Sequence, residues 1–299
     1  MAVVAAERIL LIVNPASRRG ASSLASARRA FVRAGVRCEE HSTSAAGDAE
    51  QVARLRGGDY DAVFALGGDG TVMEVLQGLF GTKIPVGVLP GGTGNLVARA
   101  LGIPLSVRRA VRQLLAGTTR EIDLGMLGEG RVFAFAAGIG IDASMVARTS
   151  AAAKRRFGVL AYIVTAVRAT LALERFALEA TVDGVTHRYR ATSAMIANFG
   201  SVLGGWIRLG PGIQENDGML DLCVFAPASA RDAFRVGWRL VRHDFRIDPA
   251  MHFHRGRTLL LRAEPSRAVQ ADGELLEGST LQVTVAPRAA RVLVPLDSR

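Results

Sequence analysis

The chain has 299 residues, of which 49% are hydrophobic and 21% are charged, a composition that excludes a disordered or collagen-like protein. Its only cysteines, Cys38 and Cys223, exclude a disulfide framework and a cysteine-rich zinc site and predict a cytoplasmic protein. The formal net charge of +10 predicts attraction to the phosphates of a nucleotide, a nucleic acid or an anionic lipid. The length predicts two domains of ordinary size.

The first 125 residues alternate short apolar runs with segments of helical periodicity. The predicted strands are Ile9–Val13, Ala62–Leu66 and Pro85–Leu89, and the predicted helices are Ser22–Ala34, Val72–Phe80, Leu96–Ala100 and Val107–Leu115. This alternation predicts an α/β domain with a parallel sheet over residues 1–125. In such sheets, ligands bind at the loops that follow the carboxyl ends of the strands.

From residue 126 onward, the pattern changes to runs rich in β-branched and aromatic residues that are joined by Asp-Gly turns. The predicted strands are Val132–Ala136, Phe176–Val182, His187–Ile196, Leu220–Phe225, Thr258–Ala263 and Leu281–Ala286, with helices over Lys154–Leu173 and Ala228–Val241. A mainly antiparallel β domain is therefore predicted over residues 126–299. Alternatively, the last residues return to the first domain.

No segment is predicted to span a membrane. The longest apolar stretch, from Phe157 to Leu173, is interrupted by Arg168 and follows Lys154-Arg155-Arg156. A spanning helix needs about 20 unbroken apolar residues. We therefore predict no stable insertion into a membrane.

Two glycine-rich loops each follow a predicted strand. Gly67-Gly68-Asp69-Gly70-Thr71 combines a main chain that can approach phosphate oxygens with a carboxylate that can bind Mg²⁺. Pro90 to Asn95 has the same character, so the two loops could hold a polyphosphate from both sides. Either loop alone could also be a tight turn without a ligand.

A third loop, Asn14 to Gly20, adds an amide, a hydroxyl and two guanidinium groups at another strand end. On its own, this loop predicts only an ordinary turn with solvated arginines. The P-loop motif and the protein-kinase motifs are absent from the sequence. His41, beside Ser42-Thr43-Ser44, is predicted to lie in a surface loop.

Two acidic turns occur in the second half. Asp272-Gly273-Glu274 could place one carboxylate toward a substrate hydroxyl as a general base and the other toward Mg²⁺, or it could be a solvated hairpin turn. Asn216-Asp217-Gly218 leaves a similar choice between a turn and an oxygen-rich cation site.

Taken together and in order, these segments resemble the diacylglycerol kinase catalytic family, which includes bacterial lipid kinases and the sphingosine and ceramide kinases. The segments are Asn14-Pro15, Gly67 to Thr71, Pro90 to Asn95, Asp123-Leu124-Gly125, Phe135 to Asp142, Asn216-Asp217-Gly218 and Asp272-Gly273-Glu274. The resemblance implies an N-terminal α/β domain similar to that of the NAD and diacylglycerol kinases. It also implies a C-terminal, mainly antiparallel β-sandwich, with ATP in the cleft between the two domains.

The resemblance also implies roles for particular residues. Asp69 would help to hold the catalytic Mg²⁺, Glu274 would accept the proton of the lipid hydroxyl, and Asp272 would share the catalytic turn. A structural Mg²⁺ would be bound by Asp217 with the carbonyls of Gln214 and Met219. The nucleotide would be lined by Asn14, Pro15, Ala16, Ser17, Arg18, Thr43, Gly67, Gly68, Asp69, Gly70, Thr71, Val72, Met73, Gly92, Thr93 and Asn95. Ala16, Arg18 and Arg19 depart from the family pattern, in which many members have a Ser-Gly ending.

The expected function is the transfer of the γ-phosphoryl group of ATP directly to the hydroxyl of a lipid alcohol such as diacylglycerol. The alternatives are a kinase of a soluble acceptor such as NAD and a non-catalytic basic protein that binds lipid or nucleic acid. The aromatic content of 6% and the dispersed arginines disfavour nucleic acid.

The expected location is cytoplasmic and peripheral to an anionic membrane surface. Lys154-Arg155-Arg156 would lie near the lipid entrance, unless the segment that follows is simply a core-facing helix. An edge strand of either domain could support a homodimer.

Overall fold

The computed structural model describes residues 6–140, 174–202 and 205–296. The predicted helix Lys154–Leu173 and the basic segment at its start lie outside these residues. The described helices are α1 (Gly20–Arg33), α2 (Asp48–Arg56), α3 (Asp69–Gly78), α4 (Leu96–Ala100), α5 (Val107–Leu115) and α6 (Ala230–Arg242).

The described strands fall in two halves of the chain. The first group is β1 (Arg8–Val13), β2 (Arg37–Ser42), β3 (Ala62–Gly67), β4 (Pro85–Pro90), β5 (Thr118–Leu127), β6 (Val132–Phe133) and β7 (Ala136–Gly140). The second group is β8 (Phe176–Val182), β9 (Val185–Ala191), β10 (Ser193–Ala197), β11 (Ser201–Val202), β12 (Ile207–Arg208), β13 (Leu220–Phe225), β14 (Met251–Gly256), β15 (Thr258–Glu264), β16 (Val269–Ala271), β17 (Glu274–Leu276) and β18 (Thr280–Val294).

The chain forms two compact units. The first contains Met1–Ile122 and Arg288–Arg299, and the second contains Asp123–Pro287. The chain passes from the first unit to the second within β5 and returns within β18.

A parallel sheet forms the centre of the first unit. Its strand order is β2-β1-β3-β4, and the end of β18 pairs in parallel with β4. Strands β1, β3 and β4 are buried at almost every residue, as expected for continuous apolar runs in a sheet covered on both faces. Phe31 of α1 packs edge-to-face on Phe64 of β3, with ring centroids 5.0 Å apart. The predicted α/β fold with a parallel sheet is confirmed.

The sequence pattern misses β2 and α2. Strand β2 lies at the edge of the sheet and has the polar sequence Arg-Cys-Glu-Glu-His-Ser, so it lacks the apolar run that identifies a buried strand. The prediction of a surface loop at His41 is wrong, because His41 lies in β2 beside Ile12 of β1.

The second unit contains two large antiparallel sheets and the separate two-stranded antiparallel sheet β11-β12. One has the order β14-β13-β10-β7-β16-β17, and the other joins the beginning of β18 to β15, β8 and β9. Both large sheets contribute side chains to one core, so the unit is a β-sandwich, as the family resemblance implies. This core includes Ile139, Phe176, Leu178, Ile196, Leu222, Leu261 and Val283.

Two predicted strands in this unit are each divided in the structure. The run His187–Ile196 forms the end of β9 and most of β10, which are separated at Thr192. The run Val132–Ala136 is interrupted between β6 and β7, where the main-chain N–H groups of residues 134–136 turn toward the carboxylate of Asp272. Among the described residues, no helix is long and apolar enough to cross a bilayer.

Candidate active site

The predicted nucleotide-binding residues of the first unit lie at the carboxyl ends of neighbouring parallel strands. Asn14 follows β1, Thr43 follows β2, Asp69 follows β3, and Gly92 and Asn95 follow β4. Because these strands are adjacent and parallel, their loops emerge at the same edge of the sheet. The structure therefore brings together residues that are up to 81 positions apart in the sequence.

Main-chain hydrogen bonds join these loops to one another. The N–H of Asn14 donates to the carbonyl of Leu66 at the end of β3 (3.0 Å), and the N–H of Thr43 donates to the carbonyl of Val13 (2.8 Å). Arg19 N–H donates to the carbonyl of Gly91 (2.8 Å), which connects the first loop to the loop after β4. The loops are therefore fixed relative to each other by the backbone.

The two glycine-rich loops approach each other at van der Waals distance. Gly91 N–H donates to the carbonyl of Gly67 (2.7 Å). A Cβ atom added to Gly92 would lie 2.5 Å from the Cα of Gly68, closer than any real Cβ contact. Only glycine can therefore occupy this place without moving the opposite main chain. A main chain without side chains, at the start of α3, can approach the phosphate groups of a nucleotide closely. These residues therefore fit ATP.

Substitution of Gly92 by alanine is expected to weaken nucleotide binding. The added Cβ forces the loops apart by about 1 Å, a displacement that can lower activity about a hundredfold. Titration calorimetry with a non-hydrolysable ATP analogue measures the change in Kd. Gly58→Ala is the matched control, because a Cβ at Gly58 meets no atom within 4 Å. Equal ATP affinity in the Gly92→Ala variant and the native protein would contradict this assignment.

The side chain of Asn14 is held in place by both of its polar atoms. Its Nδ2 donates to Thr71 Oγ1 (3.2 Å), and its Oδ1 accepts the N–H of Ala16 (3.0 Å). The hydroxyl of Ser17 donates to the Asn14 carbonyl (2.8 Å). Asn14 therefore organises the loop after β1 and connects it to the first turn of α3.

Asp69 is the first residue of α3, and its side chain faces the start of α4. Its Oδ1 accepts the N–H of Val97 (3.3 Å), and the N–H groups of Asn95 and Leu96 also stabilise the carboxylate. Burial raises the pKa of the Asp69 carboxyl above its usual range, against the opposing effect of these N–H donors. Mg²⁺ is usually held by one or two carboxylates together with substrate phosphates and water, so this single carboxylate fits the ion.

The other predicted nucleotide-lining residues differ in exposure. Pro15, Ala16, Arg18 and Gly70 are exposed, whereas Ser17, Met73 and Thr93 are half-buried. Thr71 and Val72 are buried in α3, with relative exposures of 5% and 2%. Their roles toward a nucleotide stay predictions.

Asp48 contacts His41 and Ser44, which lie on either side of Ser42 and Thr43, and the sequence predicts no role for Asp48. His41 Nε2 lies 3.2 Å from Asp48 Oδ1, and the N–H of Ser44 donates to Asp48 Oδ2 (2.7 Å). The hydrogen bond from Ser44 is the largest of the effects that lower the pKa of Asp48. An acidic residue in the first turn of α2 is the sequence signal that could have located this contact.

In the second unit, Asp272 and Gly273 form a tight hairpin turn between β16 and β17, and Glu274 follows the turn. Asp272 and Gly273 both have positive φ values, 46° and 88°, which is the conformation that an Asp-Gly pair favours in such turns. Glu274 is the first residue of β17, and its side chain is 65% exposed. Glu274 Oε2 lies 3.2 Å from the guanidinium of Arg131.

The carboxylate of Asp272 is engaged by the main chain between β6 and β7. Its Oδ2 accepts the N–H of Ala134 (2.7 Å), and its Oδ1 accepts the N–H groups of Phe135 and Ala136 (both 2.9 Å). This arrangement gives Asp272 a positioning role, since it fixes the turn that carries Glu274. A direct catalytic role for Asp272 stays a prediction.

Replacement of Asp272 by asparagine is expected to destabilise the second unit by about 3 kcal/mol, because buried N–H donors lose a charged acceptor. Urea unfolding followed by tryptophan fluorescence measures this loss, since both tryptophans, Trp206 and Trp238, belong to the second unit. The control is Glu277→Gln, at an exposed position three residues after Glu274. An unchanged urea midpoint would show that the three hydrogen bonds contribute little.

Asn198 connects this region to the second acidic turn. Its Nδ2 donates to the carbonyls of Ala134 and Asp123 (both 2.8 Å), and the side chain is fully buried. Asp123 Oδ2 in turn accepts the N–H of Gly218 (2.6 Å). Asn198 is not predicted as a functional residue from the sequence, because a single asparagine after a strand carries no distinctive pattern.

The carboxylate of Asp217, which belongs to the predicted structural Mg²⁺ site, has two polar partners in this structure. Asp217 Oδ2 is paired with the guanidinium of Arg255, and its Oδ1 accepts the N–H of Met219 (3.1 Å). The structural Mg²⁺ site formed by Asp217 with the carbonyls of Gln214 and Met219 stays a prediction. Within the described residues, no cluster of three or more His, Cys, Asp or Glu side chains could hold a metal ion.

Asp221, close to the same turn, makes the stability of the protein depend on pH. Burial raises the pKa of Asp221 to about 6 from the usual 3.8, and its Oδ2 has no hydrogen-bond partner among the described residues. The folded protein therefore holds this proton more tightly than the unfolded chain, so its stability falls as the pH rises from about 4 to about 6. Asp221→Asn is expected to remove this loss and to raise the free energy of unfolding at pH 7 by about 1–2 kcal/mol. Urea unfolding at pH 5 and pH 7 tests this, and an equal effect at both values would contradict it.

The fold defines a class of protein that is known from solved structures. A diacylglycerol kinase from Bacillus anthracis str. Sterne has a TM-score of 0.77 to this chain, with 22% identity, and the match covers 99% of each chain. At this identity, the likeness establishes the fold: an α/β domain and an antiparallel β-sandwich.

Sequence comparisons identify the family. The diacylglycerol kinase catalytic domain matches residues 8–127, and the YegS C-terminal NAD kinase beta sandwich-like domain matches residues 136–294. A diacylglycerol kinase of Bacillus subtilis strain 168 is 30% identical over 90% of each chain. An uncharacterized protein of Synechocystis sp. is 27% identical over 79% of this chain, which spans 55% of the length of that relative. The chain belongs to the lipid kinase family that carries the diacylglycerol kinase catalytic domain.

Proposed function

We propose that this protein is an ATP-dependent lipid kinase that phosphorylates the hydroxyl of a lipid alcohol such as diacylglycerol. The main support is the convergence of three strand-end loops beside Asp69, with main chains too close for any side chain at Gly92. The membership of the lipid kinase family supports a lipid acceptor. The proposed setting is the cytoplasmic face of an anionic membrane.

In this proposal, the chain contributes positioning and charge. The glycine-rich loops and the start of α3 bind the phosphates through main-chain N–H groups, and Asp69 is one ligand of Mg²⁺. When bound, Mg²⁺ neutralises charge on the phosphate oxygens. Asn14 and the main-chain bonds between the loops keep this surface fixed, so little reorganisation is needed during the transfer.

The proposed role of Glu274 is that of the general base. The oxygen of the lipid hydroxyl forms a bond to the γ-phosphorus while the bond to the ADP oxygen breaks, and the hydroxyl proton passes to the Glu274 carboxylate. Glu274 is exposed and stands on a turn that Asp272 fixes, so its carboxylate is accessible to a substrate.

A second candidate is a kinase of a soluble acceptor such as NAD. It is favoured by the Gly67 to Thr71 loop and by the match of residues 136–294 to an NAD kinase beta sandwich-like domain. The two candidates share the phosphate-binding loops and differ only in the acceptor.

Incubation of the protein with γ-labelled ATP, Mg²⁺ and an acceptor tests both candidates. Mixed micelles of detergent with diacylglycerol, ceramide, a sphingoid base or phosphatidylglycerol are compared with NAD, and the products are separated by thin-layer chromatography. A labelled lipid is the expected result, and labelled NADP without a labelled lipid would establish the second candidate. Label retained on the protein would contradict direct transfer.

A further inference from the structure

Helix α6 presents a row of large apolar side chains to solvent. Phe234, Trp238 and Val241 are 76%, 55% and 45% exposed, and their spacing of four and three residues places them on one side of the helix. A Cβ at Gly237, on the same side, would meet no atom within 4 Å. This side of the helix therefore has no covering element among the described residues.

The exposed row is additional to the face that α6 buries. Ala233 and Val236 are buried, and Val236 belongs to a small core with Ala250 and Met251. The helix is therefore already anchored, and the exposed aromatic residues are not needed to hold it in place. Exposed aromatic residues of this size in a row are a mark of an interaction surface.

Two further large apolar side chains near α6 are exposed. Trp206, which is 77% exposed, directly precedes β12, and β12 packs against α6. Ile247, in the loop after α6, is fully exposed. We call Trp206, Phe234, Trp238, Val241 and Ile247 the tryptophan face.

Arginines border the tryptophan face. Arg208, Arg231 and Arg242 are exposed, and no carboxylate of the described residues lies within ion-pairing distance of any of them. The guanidinium of Arg242 lies 5.9 Å from the ring centre of Trp238. The border therefore carries a net positive charge beside the aromatic side chains.

The acidic residues near α6 are already paired with other arginines. Asp248 accepts from Arg235 (3.1 Å) and Arg239 (2.6 Å), and Asp244 pairs with Arg246 (2.8 Å). These pairs fix the end of the helix and the loop that follows it. These carboxylates therefore do not neutralise the positive charge of Arg208, Arg231 and Arg242.

We propose that the tryptophan face docks the protein onto an anionic lipid bilayer. Phe and Trp on one side of a helix, with arginines next to them, are the composition of helices that lie in the membrane interface. The arginines match the negative charge of anionic headgroups, whereas a second copy of the chain would bring the same positive border and be repelled. The choice of a bilayer rests on the proposed lipid kinase function.

Tryptophan fluorescence reports directly on this surface, because Trp206 and Trp238 are the only tryptophans of the chain. The full-length protein is mixed with vesicles of phosphatidylcholine that contain about 30 mol% phosphatidylglycerol or none. We expect a blue shift of the emission with the anionic vesicles, and quenching by lipids brominated in their acyl chains. Sedimentation with vesicles without a blue shift or quenching would overturn the proposal, because another surface would then bind.

Two double variants test the two parts of the surface. Phe234→Ser with Val241→Ser removes apolar contact, and Arg231→Glu with Arg242→Glu reverses the charge. Each is expected to lower vesicle binding about tenfold or more.

The matched controls are Val32→Ser with Leu55→Ser, at exposed apolar positions of the first unit, and Arg29→Glu with Arg33→Glu, on the exposed side of α1. Equal losses in variants and controls would overturn the proposal.

Further measurements separate this proposal from its alternatives and from the proposed function. A blue shift that grows with protein concentration without vesicles would assign the face to a second copy and overturn bilayer docking. Phosphorylation of a lipid in detergent micelles should be unchanged in the surface variants, while phosphorylation in vesicles should fall. If native protein phosphorylates no lipid but shows the blue shift and quenching, docking stands and the proposed function fails.

Discussion

Replacement of Asp69 by asparagine is expected to abolish lipid phosphorylation, with a loss of about a thousandfold or more, while the protein remains folded. In the proposed reaction, Asp69 is the carboxylate that the first unit offers to Mg²⁺, and asparagine removes the charge with little change in shape. Initial rates with labelled ATP and diacylglycerol micelles measure the loss.

Stability is expected to respond in the opposite direction from activity. Burial raises the pKa of Asp69, which means that the ionised carboxylate is less favourable in the folded protein than in the unfolded chain. Asp69→Asn removes this cost, so at pH 7 its free energy of unfolding should equal or exceed that of the native protein. If Asp69 had only a structural role, Asp69→Asn would instead lower the free energy of unfolding and leave the activity of the folded protein intact.

Asp59→Asn is the control for this variant, since Asp59 is exposed in the same unit and the substitution removes the same charge. It should leave both activity and stability unchanged. If Asp69→Asn kept more than about a tenth of the native rate, the assignment of Asp69 as a metal ligand would be wrong.

The parts of the fold that the sequence predicts are those in which local pattern and tertiary burial agree. Strands β3 and β13 are recognised within one residue of their limits, because an apolar run of five or six residues is also a buried strand. Strand β2 is missed because an edge strand with Glu39 and Glu40 has no such run. Its position depends on pairing with β1, which no local pattern in β2 encodes.

In the candidate site, too, the sequence predicts some features from local pattern and misses those that depend on tertiary contacts. The glycine loops are evident in the sequence because closely packed main chain requires glycine at positions such as Gly92. The role of Asp272 is not evident, since its carboxylate binds N–H groups of residues 134–136, which are more than 130 positions away. Asn198 is equally hidden, because its partners come from two other segments of the chain. Contacts of this kind are set by the tertiary fold and leave no periodic signal.

Replacement of Glu274 by glutamine is expected to lower kcat for lipid phosphorylation by about a hundredfold to ten-thousandfold, the usual contribution of a general base. Glutamine keeps the size of the side chain but cannot take up the hydroxyl proton. The KM for ATP should change little, because the phosphate-binding loops belong to the first unit. Steady-state rates at varied ATP, with lipid in micelles, separate the two parameters.

The loss in the Glu274→Gln variant should be purely catalytic. The ion pair between Glu274 and Arg131 is more than half exposed on both sides, and such pairs contribute at most about 1 kcal/mol to stability. The urea midpoint should therefore stay close to the native value, in contrast to that of Asp272→Asn, whose carboxylate holds the turn itself. Glu277→Gln serves as the control for charge on the same segment.

If Glu274→Gln kept native kcat, the proton would have to pass to another group, and Asp272 would be the next residue to test in the same turn.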